Sequence, residues 1–394
     1  MALDAARWIR AADRGSDAAD LYSGRAGVVL FFLELYRATG DAAHRATATA
    51  GADALLDSLD RQTDAGLYTG LAGIGFVLSE VGRHTAHERY RDGARRAAAM
   101  LRDRAAARGT GVEWSDTTDV ISGSAGIGLF LLDAAEALDL PDGRDLAARA
   151  GRRLLERGRD DRGGRAWPMD DAAALLFPNF AHGTAGIAYF LATLYLATGE
   201  AAFLDGALAG ASHLKAIAQT DGDVCLIHHH EPEEAGAPLH YLGWCHGPAG
   251  TARLWYRLWQ ATGDPAWLEW TGKSARAILA SGIPGRETPG FWNNAGLCCG
   301  SAGIARFFLG LHRATGDAGY LAFARQVGAP LLAAATRDES GTRWIHAEHR
   351  VRPLDLAAQT GWMQGAAGIG ACLLALDAFQ SGAPLPIPLP DAPF

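Results

Sequence analysis

Three cysteines stand one or two positions before a glycine in the second half of this chain: Cys245, Cys298 and Cys299. Catalytic zinc sites commonly have three protein ligands and an open fourth position. Adjacent cysteines are poorly placed for an ordinary disulfide, but both can reach one metal ion if the backbone turns, as the following glycine allows. Cys225 and Cys372 lack this placement. The pattern predicts one Zn²⁺ held by the three cysteines; the alternative is three small, buried apolar residues.

Two histidines and an aspartate accompany these thiols. His182 precedes a glycine in the same way, His246 follows Cys245, and Asp119 lies four residues ahead of Gly123. A neutral imidazole near a carboxylate suits acid–base chemistry at neutral pH, so His182 and Asp119 are candidate catalytic residues. An aspartate just ahead of a helix is often only an N-cap, and that alternative stays open for Asp119. For His246 we favour a role beside the metal or facing a substrate over direct ligation.

The candidate cysteines and histidines stand in the two positions before copies of a repeated motif. The motif Gly-x-Ala-Gly occurs seven times, beginning at Gly24, Gly70, Gly123, Gly183, Gly247, Gly300 and Gly365. Such spacing indicates a stacked or closed array of supersecondary units. In three outer copies the two preceding residues are Tyr22-Ser23, Tyr68-Thr69 and Met363-Gln364. The change to cysteine and histidine in the middle copies therefore predicts one site assembled from several units.

Each motif opens an apolar stretch with helical periodicity. Four stretches close with a glycine 16 residues after the motif begins, at Gly40, Gly199, Gly263 and Gly316. This interval predicts an inner helix of about three turns with a left-handed glycine cap, followed by an acidic residue that starts a more polar outer helix. Strand patterns are scarce. We therefore predict an all-α fold, an α/α toroid in which residues 1–394 form a single domain and the inner helix starts surround one cavity.

Bulk properties exclude several classes of protein. A net charge of −8, without a run of basic residues, argues against a nucleic-acid surface. The sequence has no apolar run long enough for a membrane span and no visible signal peptide. Five cysteines is an odd number for a disulfide framework. These features predict a cytoplasmic protein whose thiols have a chemical role.

Two further groups of residues are open to a plain structural interpretation. The run His228-His229-His230, followed by Glu231, Glu233 and Glu234, has no standard ligand spacing, and we predict an exposed loop there. Four tryptophans shortly before motifs either line a peptide-binding cavity or pack the loops: Trp114, Trp244, Trp292 and Trp362.

The repeats, with Trp244-Cys245-His246-Gly247, Cys298-Cys299-Gly300 and Ala181-His182-Gly183, resemble those of the lanthionine synthetase C-like cyclases over nearly the whole chain. The resemblance implies an α/α double-ring barrel, one zinc ion, and Michael-type addition of peptide cysteine thiols to dehydroalanine or dehydrobutyrine. It places zinc ligands at Cys245 and Cys298. A subset of the family has a third cysteine where others have histidine, and that position is Cys299 here.

The same resemblance implies a catalytic role for His182 and Asp119, whereas Tyr241 stands where some members have an arginine. It also implies a dehydrated precursor peptide as partner, and a dehydratase- or kinase-type enzyme or domain, so the chain is either a stand-alone cyclase or a domain of a larger synthetase. Two alternatives remain open. A glycosidase on a similar barrel would require paired carboxylates, and a non-cyclising protein would bind zinc and a thiol such as glutathione without forming rings.

Overall fold

Helices account for most of the chain. The computed structural model describes residues 1–12, 18–232, 239–286, 294–347, 354 and 356–394. Within these ranges, the inner helices are α2 (Arg25–Thr39), α4 (Leu71–Thr85), α6 (Ser124–Ala137), α8 (Thr184–Thr198), α10 (Pro248–Thr262), α12 (Ser301–Thr315) and α14 (Ala366–Ser381). The outer helices are α1 (Ala2–Ala12), α3 (Ala42–Ser58), α5 (Glu88–Arg104), α7 (Pro141–Arg157), α9 (Ala201–Ile217), α11 (Ala266–Ala280) and α13 (Ala318–Ala333). A short 3₁₀ helix, Leu59–Arg61, follows α3.

The inner helices form a closed ring. Each packs against the next along the chain, and α14 packs back against α2. Every inner helix from α2 to α12 also packs against the outer helix that follows it, while α1 covers α14. The fold is therefore an α/α toroid, as the repeat predicts. No helix among the described residues combines the length and apolar character that crossing a bilayer requires.

Short antiparallel hairpins are the β-structure of the described chain. They pair β1 (Ala106–Arg108) with β2 (Gly111–Glu113), β3 (Arg159–Asp161) with β4 (Gly164–Ala166), β5 (Thr336–Asp338) with β6 (Gly341–Arg343), and β7 (His346–Ala347) with β8 (Leu356–Ala357). After three of these hairpins a tryptophan indole donates to a carbonyl oxygen near the end of the preceding outer helix: Trp114 to Leu101, Trp167 to Leu154 and Trp344 to Leu331, over 2.7–2.8 Å. These tryptophans fasten the hairpins to the outer helices.

The inner helices are longer than the spacing predicts. Six of those in the described ranges contain 15 residues or more, about four turns rather than three. The reason is that the motif's first glycine is the N-cap, so the rest of the motif already forms the first turn. The predicted left-handed caps are confirmed at Gly40, Gly199, Gly263 and Gly316, with φ between 71° and 74°.

The second glycine of each motif touches the backbone that leads into its helix. A β-carbon at Gly250 would lie 1.9 Å from the carbonyl oxygen of Trp244, and one at Gly303 would lie 2.0 Å from that of Leu297. Both distances are far below van der Waals contact. Glycine is therefore required for this approach, which brings the residues before each inner helix close to its first turn.

Main-chain hydrogen bonds close a second, smaller ring across the helix starts. The N–H donors and their C=O acceptors are Tyr22 to Tyr68, Tyr68 to Ile121, Val120 to Ala181, Ala181 to Cys245, Cys245 to Cys298, Cys298 to Met363 and Met363 to Tyr22, over 2.8–3.3 Å. We call these residues the hydrogen-bonded ring. All except Val120 lie two positions before a motif, so the ring places each repeat's preceding segment beside that of its neighbours.

Candidate metal centre and catalytic pair

Three thiols meet where the fifth and sixth repeats join the hydrogen-bonded ring. The main chain brings Cys245 and Cys298 together, because the N–H of Cys245 donates to the carbonyl oxygen of Cys298 over 3.3 Å. The Sγ atom of Cys299 lies 3.2 Å from that of Cys245 and 3.4 Å from that of Cys298. Cys245 and Cys298 are buried, whereas Cys299 is half-buried. The three sulfur atoms form a group that can hold a metal ion.

The three thiols influence one another's ionisation. Hydrogen bonding to Cys298 and Cys299, together with burial, raises the pKa of the Cys245 thiol well above its usual range. By contrast, hydrogen bonds from Cys245 and Cys298 hold the pKa of Cys299 well below it. Three buried thiols this close together therefore cannot all ionise unless a cation neutralises them.

The donor set fits zinc. Three cysteines are a known ligand combination for Zn²⁺, and a Zn–S distance of about 2.3 Å in tetrahedral geometry separates the sulfurs by roughly 3.8 Å. The observed separations of 3.2 and 3.4 Å are shorter than that spacing by roughly half an ångström, so the three sulfurs need to move apart only slightly to hold the ion. None of the three cysteines forms a disulfide. Cys245, Cys298 and Cys299 would hold the ion, and the fourth position would be left for a water molecule or a substrate thiol.

Asp119 performs two tasks with its two carboxylate oxygens. Its Oδ1 accepts hydrogen bonds from the backbone N–H groups of Ser122 and Gly123, both at 2.8 Å. Its Oδ2 lies 2.5 Å from Nδ1 of His182. Asp119 is fully buried, whereas the His182 side chain is 32% exposed. The carboxylate therefore shapes the loop before α6 and also contacts a partly exposed imidazole. The capping interpretation is confirmed for the loop N–H groups, and the catalytic role stays a prediction.

Aromatic rings surround the exposed side of this pair. The ring centroid of His246 lies 5.5 Å from that of His182. Phe177 contacts both histidines, and Tyr241 packs 5.8 Å from His246. Burial, reinforced by neighbouring histidines, holds the pKa of His246 well below its usual range, which favours the neutral ring. His246 is not one of the three residues of the thiol group that can hold a metal, and its place beside a metal stays a prediction.

The triple-histidine segment is a loop, but the prediction that it is exposed is wrong. His228 and Glu231 are buried at 6% and 5% exposure. The ring of His229 packs 4.2 Å from that of His246. No local pattern indicates this burial, because the partners of the loop come from other segments of the chain, such as Phe177, Tyr241 and His246. Glu233 and Glu234 lie outside the described residues.

Three residues near the thiols were not among the sequence candidates. Burial raises the pKa of the Tyr22 hydroxyl far above its usual range, and the charges of Cys298 and Cys299 add to the effect. The Gln364 amide nitrogen lies 3.3 Å from the Tyr22 hydroxyl. His346, on β7, is close enough for the charge of Cys299 to oppose the lowering of its pKa by burial. Tyr22 and Gln364 share the repeat phase of the cysteines, a signal that could have identified them; His346 carries no such signal.

The tryptophans pack loops in the described structure. Trp114 is bonded to the end of α5. Trp244 and Trp362 are buried, and the indole of Trp244 donates to Oδ2 of Asp391 over 3.1 Å. Trp292 lies outside the described residues. Trp244 and Trp362 therefore pack the segments that lead to Cys245 and Met363, whereas Trp114 fastens a hairpin to an outer helix.

A comparison with protein-family models decides the relationship that the repeats suggest. The model described as "Lanthionine synthetase C-like protein" matches residues 15–384. The chain belongs to the lanthionine synthetase C-like family. No curated protein matches it in sequence.

Solved structures share the fold of this lanthionine synthetase C-like chain. Nisin cyclase matches with a TM-score of 0.73 and 16% identity, covering 96% of this chain and 92% of its own. A protein from Listeria innocua matches with a TM-score of 0.52 and 15% identity, covering 79% and 85%. An α-1,6-mannanase of Salegentibacter sp. matches with a TM-score of 0.50 and 15% identity, covering 77% and 86%. Because the same toroid carries different chemistries, function must be argued from the site.

Proposed function

We propose that this chain is a zinc-dependent lanthipeptide cyclase, formed by a single domain over residues 1–394. It would add cysteine thiols of a dehydrated precursor peptide to dehydroalanine or dehydrobutyrine, forming thioether rings. The observation that carries the proposal is the three-thiol group set among histidines, one of which is held by a buried aspartate. Family membership and a fold shared with nisin cyclase support the same chemistry.

The thiol group supplies the binding side of the reaction. A zinc ion bound by Cys245, Cys298 and Cys299 would lower the pKa of a substrate cysteine thiol and leave its sulfur nucleophilic. Cys299 is the most exposed of the three ligands, so the substrate sulfur would approach from its side. Phe177 and Tyr241, which pack against His246, would shield the space beside His182 from bulk water.

His182 supplies the proton that completes the addition. The new C–S bond forms at the β-carbon of the dehydro residue, and the π electrons move to an enolate whose α-carbon must then be protonated. Because Asp119 engages Nδ1 of His182 at 2.5 Å, Nε2 is the ring atom left to exchange protons with substrate. The proton lost by the incoming thiol balances the one delivered, so the addition releases nothing. Asp119 would hold the tautomer and stabilise the imidazolium.

Metal analysis of single-cysteine variants, paired with a ring-formation assay, tests the proposal. Cys245→Ala, Cys298→Ala and Cys299→Ala should each lose zinc and fail to protect precursor cysteines from alkylation, as read by mass spectrometry. Cys225→Ala and Cys372→Ala are the matched controls, since burial raises the pKa of each of those thiols to about 12 and keeps them protonated. They should retain both zinc and activity.

Two outcomes of this experiment would contradict the proposal. Full zinc retention by all three site variants would refute the metal assignment. Zinc binding by the parent protein without ring formation on a dehydrated precursor would refute the cyclase and leave a thiol-binding protein.

A further inference from the structure

The loop of residues 226–232 runs from the outer helix layer to the candidate site and is held at several points. At its start, Leu226 pairs with Gln219 in an antiparallel bridge, and at its end Glu231 pairs with Leu176. Between them, the side-chain amide of Asn179 donates to the carbonyl oxygen of His228 over 2.9 Å. Asn179 also accepts a hydrogen bond from Thr251 on α10. The loop is thus tied to the inner helix that follows Cys245.

A buried ion network fixes the end of this loop. His213, on α9, is fully buried, with Nε2 3.0 Å from Oε2 of Glu231 and Nδ1 3.3 Å from Oδ2 of Asp161. Arg162 lies 3.2 Å from the other Glu231 oxygen. The two carboxylates approach opposite nitrogens of one imidazole, and an arginine already neutralises Glu231. This arrangement suits an imidazole held between two carboxylates better than a second metal site, because a metal would occupy only one of the nitrogens.

The held loop delivers His229 to the site. Its backbone N–H donates to the carbonyl oxygen of Leu239 over 2.8 Å, which fixes its main chain. Its ring packs 4.2 Å from His246 at an angle of 49°, and 4.8 Å from Tyr241. Phe177 packs edge-on against His229 at 5.6 Å and also contacts His246. His229 therefore forms one wall of the space that the His246 ring occupies.

We propose that His229 is a positioning residue that holds the His246 ring beside His182, and that the His213–Glu231 pair holds His229 there. The effect that we predict on catalysis rests on the proposed cyclase function. The position of the His246 ring does not depend on that function. Its physical basis is packing: without the His229 ring, His246 gains space to rotate away from the path of the substrate.

Three variants separate ring packing from other roles. His229→Ala removes the ring, His229→Phe restores an aromatic ring without its nitrogens, and His230→Ala is the matched control from the same loop. With full zinc occupancy, His229→Ala should lower kcat for ring formation by about 10- to 100-fold and leave KM nearly unchanged, because misplacement of an active-site group mainly affects the chemical step. His229→Phe should recover most of kcat, and His230→Ala should behave like the parent.

A second measurement does not depend on activity. In protein labelled with ¹⁵N-histidine, the ring signals of His246 should shift and broaden in His229→Ala and return toward the parent values in His229→Phe. Unchanged His246 signals in His229→Ala would overturn the positioning role, as would equal loss of kcat in His229→Ala and His230→Ala. A parent that forms no rings would instead refute the cyclase function, and the ring signals would still decide whether His229 positions His246.

Discussion

At the scale of single residues, Asp119 combines a loop-shaping contact with a contact to a histidine. In the first repeat, Asp20 stands at the same distance before its motif, and its Oδ1 accepts the N–H groups of Ser23 and Gly24 at 2.7 and 3.2 Å. Asp119 makes the equivalent loop contacts with Oδ1 but turns its second oxygen to His182. The loop-shaping role is therefore shared between repeats, while the contact with histidine belongs to the third repeat.

Asparagine at these two positions separates the two roles. Asp119→Asn keeps an oxygen for the loop N–H groups but removes the charge that stabilises a His182 imidazolium. We expect cyclisation to fall by about 10²–10⁴-fold with zinc retained. Asp20→Asn makes the same chemical change in a loop without the histidine, so its ring formation should match the parent. Equal rates for both variants in the thioether assay would reduce Asp119 to a loop cap.

At the scale of an element, the segment before each inner helix packs directly against a glycine in the first turn of that helix. The approach is equally close in repeats with and without thiols: a β-carbon would lie 2.0 Å from a carbonyl oxygen at both Gly303 and Gly73. In the sixth repeat, a β-carbon at Gly303 would displace Leu297, which directly precedes Cys298. The start of α12 thus contributes to the position of a candidate metal ligand.

Alanine at the two glycines tests this dependence. Gly303→Ala and Gly73→Ala should each lower the free energy of unfolding by about 1–3 kcal/mol, since both force the backbone apart. Gly303→Ala should also weaken zinc binding much more than Gly73→Ala does, measured by competition with a chelator, because it displaces the segment that carries Cys298. Equal zinc affinity in the two variants would contradict the link between helix start and ligand position.

The loop of residues 226–232 should respond to acid through Glu231. Burial alone would raise the pKa of this carboxyl, but hydrogen bonds from His213 and His228 and the charge of Arg162 outweigh it and lower the pKa to about 2. A depressed pKa stabilises the folded state above the ordinary value of 4.5, and that contribution is lost as pH falls toward 2. Asp161 also faces this network, from the other side of His213.

We therefore expect Glu231→Gln to cost about 2 kcal/mol of unfolding free energy at pH 7, with the difference from the parent shrinking as the pH is lowered below 4.5. Urea unfolding at pH 7, 4.5 and 3 measures this. Asp160→Asn changes an exposed carboxyl, 87% accessible in its pair with Arg165, and should show little effect at any of these pH values. A cost for Glu231→Gln that stays constant with pH would contradict the predicted linkage.

At the scale of the whole molecule, the last described segment reaches back to the centre of the toroid. Asp391 is fully buried, and its Oδ2 accepts hydrogen bonds from the Trp244 indole at 3.1 Å and from Arg253 at 3.0 Å. Trp244 immediately precedes Cys245, and Arg253 lies on α10. One buried carboxylate thus joins the chain after α14 to the helix and loop that carry a candidate metal ligand.

Removing this carboxylate should be costly. Asp391→Ala leaves Arg253 and the Trp244 indole without their buried partner, so we expect the free energy of unfolding to fall by about 3–5 kcal/mol. Asp223→Ala breaks an exposed pair with Arg276 and should change stability little. Urea unfolding of both variants measures the difference, and similar small losses would show that Asp391 contributes no more than a surface pair.

The sequence predicts the parts of this molecule that repeat and misses the parts that do not. The period of the glycine motif predicts the toroid, and the left-handed caps follow from the fixed interval to residues such as Gly40. The length of the inner helices was underestimated because the motif itself is helical. The contact of His213 with Glu231 and the nearness of His346 to Cys299 join distant segments, and no local pattern encodes such contacts. The cysteines could be recognised as one group because they stand just before their motifs, and the fold brings these positions of neighbouring repeats close together.

The hydrogen-bonded ring affects how the molecule unfolds. In an open solenoid the terminal repeats have one neighbour each and can fray independently. Here Met363 donates to Tyr22 as Tyr22 donates to Tyr68, so the first and last repeats are neighbours like any others. Among the seven repeats that the structure describes, each therefore has a neighbour on both sides in this ring, and loosening any one repeat breaks contacts on both of its sides. Tyr22 and Tyr68, remote in sequence from the cysteines, therefore share in keeping the thiol group intact.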